Sequence, residues 1–188
     1  MTLTKKLIIY SGIGVLVAGL AWHFTFNGGT ERRKGTEPQV KASAWTWKNP
    51  YTFKQAVIPP GWKKIENDQL RDAVLALQHE SGKCLIYITY YESVNNLSLT
   101  EYIDAVKPMN QKEFGIDDFK KVTGKNGLEY YLGEGAKYMG NSLANIDIRI
   151  WSDGSNGFWE TVVTVDAEYK TIEYTAGEIV EQLTKTTL

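Results

Sequence analysis

The side chains able to do chemistry are few and scattered. The 188 residues contain two histidines, His23 and His79, and one cysteine, Cys84. A histidine acting as general base needs a nucleophile within reach and a third group to orient the ring. Ser81 is near His79 in sequence, but Glu80-Ser81-Gly82 is a turn signal between two apolar runs, so the pair reads as turn chemistry. His23 lies in a long apolar run and cannot join His79 in one compact site. Cys84 stands in an alternating apolar stretch and reads as a buried structural thiol; with no second cysteine, an intrachain disulfide and a multi-cysteine metal site are excluded. Asp153-Gly154-Ser155-Asn156-Gly157 superficially resembles a calcium loop. That loop needs oxygen ligands at positions 1, 3 and 5 and a glycine at 6, whereas here glycine falls at position 5. It reads as a hairpin turn. Gly12-Ile13-Gly14 lacks the preceding strand of a dinucleotide loop. No catalytic residue, metal or cofactor is expected, and no enzymatic activity.

The remaining candidates concern interaction. Arg149 is one of two arginines after residue 41, the other being Arg71. If the hairpin turn is centred on residues 152–157, Asp147, Arg149 and Glu160 share a face and Arg149 can pair across strands with Glu160. Trp45 and Trp47 alternate near the start of the domain. Exposed on an edge, they would suit a protein or glycan partner; docked, they belong to the core. Tyr87, Tyr90, Tyr91, Tyr102, Tyr130, Tyr131 and Tyr138 read mainly as buried aromatics with bonded hydroxyls.

The elements that must position these groups follow from hydrophobic period and turn residues. Residues 45–57 read as extended, Pro59-Pro60-Gly61 as a turn, and Trp62–Ile65 as a short strand. Ala73–His79 and Lys83–Tyr91 form the clearest hairpin. Both faces of its second strand are apolar or aromatic, which predicts a central strand covered on each side. Ser98 with Glu101 three residues later is a capping box, and Pro108 weakens the end of the helix it starts. Gly115–Thr123 is extended. Leu128–Gly133 and Ala136–Met139 are two strands around a kink at Gly133-Glu134-Gly135. Asn145–Trp151 and Phe158–Asp166 are strands. Ile172, Ala176, Ile179, Val180 and Leu183 form the stripe of a final helix. This order predicts an α+β domain with a mostly antiparallel sheet and flanking helices.

Leu7–Phe26 carries no Asp, Glu, Lys or Arg. Its length at ~1.5 Å per residue matches a bilayer core of ~30 Å. Two readings compete. Lys5-Lys6, the apolar core and Gly19-Leu20-Ala21 fit a cleaved signal peptide. Trp22, Phe24 and Phe26 extend the run past that cut and favour a retained anchor. Lysines before it and Arg32, Arg33 and Lys34 after it nearly balance the positive-inside bias; the very short head favours a cytoplasmic N-terminus and an exported domain. Ser11, Gly14 and Ala18 would give the anchor a face for close helix packing, and so for oligomerisation. The expected organisation is a head at 1–6, the anchor at 7–26, a flexible linker at 27–43 and a globular domain at 44–188. Residues 42–188 hold 15 Lys/Arg and 20 Asp/Glu, an acidic balance that disfavours nucleic acid.

The element order, with Phe53 and Ile58-Pro59-Pro60-Gly61-Trp62 at the first hairpin, resembles the PsbP-like fold. That fold is shared by photosystem accessory proteins, DcrB-like bacterial proteins and some mycobacterial lipoproteins. The Ala73–Tyr91 hairpin, the helix at 97–106 and the C-terminal helix around Gly177–Leu183 also match, so the likeness covers about residues 50–188. It implies binding and assembly roles, often at membranes, and no single chemistry. Together these features predict a single-pass protein of the inner membrane with a periplasmic domain: a non-enzymatic interaction or assembly module of a bacterial envelope complex, with other envelope or membrane proteins as partners. A module for lipid, glycan or peptidoglycan is the alternative. A cytoplasm-facing chaperone-like domain and an enzyme stand further back.

Overall fold

A computed structural model describes residues 43–66, 72–92, 97–125, 127–154 and 157–187. The anchor and most of the linker expected over 1–43, including Ser11, Gly14 and Ala18, lie outside the described residues. Among the described residues no helix is long and apolar enough to cross a membrane.

The strands are β1 Trp45–Lys48, β2 Gln55–Ile58, β3 Trp62–Lys64, β4 Ala73–His79, β5 Cys84–Glu92, β6 Phe119–Thr123, β7 Glu129–Met139, β8 Ser142–Ser152 and β9 Gly157–Asp166. Helix α1 is Leu99–Phe114 and α2 is Lys170–Lys185. Seven strands form one antiparallel sheet in the order β3-β4-β5-β9-β8-β7-β6, and β1 and β2 pair separately as a ribbon. The fold is therefore α+β, with a mostly antiparallel sheet and flanking helices.

β9 is the middle strand, and every residue of it is buried. Its Phe, Trp and Val residues occupy both parities, so each face presents apolar surface that must be covered. β5 beside it is covered on both faces as its sequence predicts. One core packs α1 residues Tyr102, Ile103 and Val106 on Tyr87, Ile146, Ile148 and Ile150. The other packs α2 residues Ala176, Ile179, Val180 and Leu183, with the β1–β2 ribbon, on Ile86, Ile88, Trp151, Trp159 and Val163.

α1 carries the chain from β5 to β6, across the width of three strands. It starts at the expected capping box: Ser98 Oγ accepts from the Glu101 N–H, and the Glu101 carboxylate accepts from the Ser98 N–H. Pro108 does not end it. The helix runs on to Phe114 and closes at Gly115, at φ 66°. Pro108 and Asp104 are both exposed, so water can serve the carbonyl that proline leaves without a donor.

β7 is also continuous where a kink was expected. A Cβ on Gly133 would stand 2.7 Å from the Phe119 ring, and one on Gly135 would stand 2.3 Å from the Phe114 carbonyl oxygen. These glycines let the end of α1 and the segment after it lie directly on the sheet; the strand keeps its direction.

Candidate interaction site

α2 covers only part of its face of the sheet. Its clearest contacts with the sheet and ribbon are to β2, β5 and β9, which leaves the β6–β7–β8 half open toward solvent. Along the boundary, two periodicities match. Glu173, Gly177 and Glu181 recur every fourth helical residue, about 6 Å per step. Asn145, Asp147 and Arg149 recur every second residue of β8, about 6.6 Å per step. The outer members meet: the Asn145 amide donates to Glu173 at 3.5 Å, and Arg149 donates to Glu181 at 2.9 Å. Between them Gly177 faces open space, where a Cβ would meet nothing.

The gap widens into an open cleft of about 460 Å³ lined by Lys125, Arg149, Lys170, Glu173, Tyr174, Gly177, Glu178 and Glu181. Arg149 is its anchor. The guanidinium lies 5.3 Å over the Tyr130 ring, and its Nε is buried with no hydrogen-bond partner among the described residues. Burial raises the Asp147 carboxyl above its ordinary value; Arg149 opposes that, while Glu134 and Glu173 add to it. On the same face as the cleft, large apolar side chains face water. Tyr138 is 69% exposed and Tyr174 is 70% exposed, and Leu143 stands directly across from Tyr138 in the β7–β8 register. A rim of exposed aromatic surface around fixed charges can dock a complementary polypeptide. It presents no nucleophile–base pair, and among the described residues no three of His, Cys, Asp and Glu group as metal ligands.

The expected Arg149–Glu160 pair does not form. The register sets Arg149 opposite Thr161 and Ile150 opposite Glu160, one residue away from a turn centred on 152–157. Asp153 makes the difference: its N–H donates to the Gly157 carbonyl and its Oδ1 accepts the Gly157 N–H. A one-residue slip moves a side chain to the other face. Glu160 therefore lies under α1, where the Tyr102 hydroxyl donates to it at 3.5 Å and burial pushes its pKa up to about 7. The buried Tyr87 hydroxyl has no hydrogen-bond partner among the described residues, and its pKa is raised by burial and then by Glu160.

Trp47 is 8% exposed in the second core, and the Trp45 indole N–H donates to the Trp62 carbonyl at 3.0 Å. The two indoles are docked onto the domain instead of lining an exposed edge. His79 Nδ1 lies 2.8 Å from Ser81 Oγ and also accepts the Ser81 N–H, so this exposed pair ties the β4–β5 turn. Cys84 is fully buried, and burial holds its thiol neutral. Sequence reading missed Glu173, Tyr174 and Glu181. The signal that could find them is the four-residue spacing of Glu173, Gly177 and Glu181, which runs beside the apolar stripe of the same helix.

No family model matches the chain, and no curated protein matches it. Among solved structures, the cyanobacterial PsbP (CyanoP) of Synechocystis sp. PCC 6803 is similar in fold, at TM-score 0.52 and 11% identity, covering 79% of this chain and 96% of that one. The Saccharomyces cerevisiae Ran-binding protein Mog1p follows at TM-score 0.47 and 13% identity, over 77% and 94% of the two chains. LpqN of Mycobacterium tuberculosis, described as involved in cell envelope biogenesis, matches at TM-score 0.44 and 8% identity, over 77% and 82%. The domain has the PsbP-like fold, and at these identities the likeness extends to the fold alone.

Proposed function

We propose that this chain is a membrane-anchored, extracytoplasmic interaction module of a bacterial envelope complex, non-enzymatic, with another envelope or membrane protein as its partner. The observation that carries the interaction reading is the half-open sheet face: Tyr138, Leu143 and Tyr174 stand in water beside a cleft whose charges are already fixed by the Arg149–Glu181 pair. Fixed charges and exposed rings lose little freedom on docking, which favours recognition of a folded partner. The anchor reading is supported by the uncharged run Leu7–Phe26. Ser11, Gly14 and Ala18 would serve that anchor as a packing face.

Protease protection on intact and permeabilised spheroplasts, with a C-terminal tag, tests placement: the domain and its tag are digested already in intact spheroplasts, and the undigested tagged chain keeps the anchor's mass. Affinity purification from detergent-solubilised membranes tests the interaction. Recovery of this chain alone would contradict the module reading. The cleft's charged lining puts an apolar lipid ligand behind a protein partner.

A further inference from the structure

The β1–β2 ribbon ends in a tip whose chemistry differs from the rest of the domain. The ribbon and its loop, residues 45–58, contain two lysines, Lys48 and Lys54, and no acid; residues 59–188 contain 13 Lys/Arg and 20 Asp/Glu. At the tip, between Lys48 and Lys54, stand Tyr51, 55% exposed, and Phe53, 68% exposed. The Lys48 ammonium lies 5.0 Å over the Phe53 ring.

Phe53 has φ 62° and is the one non-glycine residue at positive φ among the described residues. A bulky side chain there is strained, and stability alone favours glycine or asparagine. Burial does not compensate, because the ring is in water. The loop nevertheless holds this shape firmly. Asn49 Oδ1 accepts the Tyr51 and Thr52 N–H groups, the Asn49 amide donates to the Thr186 carbonyl and hydroxyl, and the Thr52 hydroxyl donates to the same carbonyl. Behind it, the Tyr51 ring packs 4.7 Å from that of Tyr90 and edge-on to Trp159. A strained residue held rigidly with its ring outward is an arrangement that functional sites keep.

We propose that this tip is a membrane-contact element: Phe53 enters the interface of an anionic bilayer leaflet, the exposed edge of the braced Tyr51 ring lies against it, and Lys48 and Lys54 meet its headgroups. The charge sign and the form of the tip carry the choice. Aromatic rings settle at the interface between headgroups and chains, and lysine stems let their ammonium groups reach the phosphates. Basic residues near such a surface attract it strongly enough that each is worth about fivefold in partitioning. The tip presents the exposed Phe53 ring with an ammonium over it, backed by a Tyr51 ring braced on Tyr90 and Trp159, and a fluid leaflet accepts such a surface without a preformed pocket. This goes beyond the anchor reading and does not require it, since the contact is made by the domain's own residues.

The test uses the full chain with a nitroxide on Pro50→Cys, the buried Cys84 being shielded from labelling. A second label on Glu168→Cys, beyond the far end of β9, is the control. Accessibility to lipid-soluble oxygen and to an aqueous nickel chelate is measured with phosphatidylcholine vesicles, with and without phosphatidylglycerol. The Pro50 label becomes oxygen-accessible and nickel-shielded only with phosphatidylglycerol, and the Glu168 label does not. Phe53→Asn, which keeps the backbone shape, returns the tip to water, and Lys48→Glu with Lys54→Glu reduces immersion at least tenfold. A Pro50 label that stays nickel-accessible on folded protein overturns the proposal. So does equal immersion in both lipids, or immersion unchanged by Phe53→Asn. Failure of the anchor reading would appear separately, as full extraction of the chain from vesicles by alkaline carbonate.

Discussion

The two faces of the sheet handle charge in opposite ways. Under α1, Glu160 is buried among tyrosines, the Tyr102 hydroxyl donates to it at 3.5 Å, and burial raises its pKa. On the α2 face, Arg149 is also largely buried, yet it keeps a full ionic partner in Glu181 and sits beside an open cleft. The sealed face spends its acid on packing, whereas the half-open face keeps its charges paired and reachable. That difference is why the open part of the α2 face, and not the α1 face, is the one proposed for recognition.

The largest expected effect tests how sealed the α1 face is. Gly135→Ala would place a methyl against the Phe114 carbonyl oxygen, at a separation the backbone must move to relieve. Destabilisation of about 2–4 kcal/mol is expected in urea unfolding. An effect below about 1 kcal/mol would mean that α1 does not lie directly on β7.

Glu160 gives a pH signature of the same face. Its folded pKa of about 7 stands above the ordinary 4.5, so between these values the folded state holds a proton that the unfolded chain releases. Stability therefore falls as pH rises from about 4.5 to 7, by up to about 3 kcal/mol, and is flat in this group's contribution below and above that window. Glu160→Gln should flatten the slope. An unchanged slope would place the titrating group elsewhere, with Asp147, raised in the same direction, the next to test.

On the other face, Arg149→Ala should cost about 1–3 kcal/mol by leaving Glu181 without its partner and Tyr130 without its cation. It should also weaken partner recovery. Gly177→Ala is the smallest change: with nothing near its Cβ, helix propensity alone should raise stability by about 1 kcal/mol or slightly less. A side chain that fills the gap while reducing partner recovery would mark the cleft as part of the interface.

Much of the fold was legible because local rules and burial agree. The Ser98–Glu101 cap, the two-faced β5 and the α2 stripe are each written within a dozen residues. What failed depended on distant neighbours. Gly133 and Gly135 look like a kink until Phe114 and Phe119 are seen against them. Arg149 and Glu160 look like a pair until the Asp153–Gly157 bonds set the register one residue over. The site was less legible still, because its exposure depends on how far α2 reaches across the sheet, and local sequence does not encode that reach.

Site-specific photocross-linking in intact cells tests the central claim most directly, with the photoreactive residue at Tyr138 on the open face or at Asp104 on exposed α1. A discrete adduct with another envelope or membrane protein is expected from Tyr138, lost in Arg149→Ala, and none from Asp104. Equal labelling from both positions, or no adduct from Tyr138 in folded protein, would contradict it.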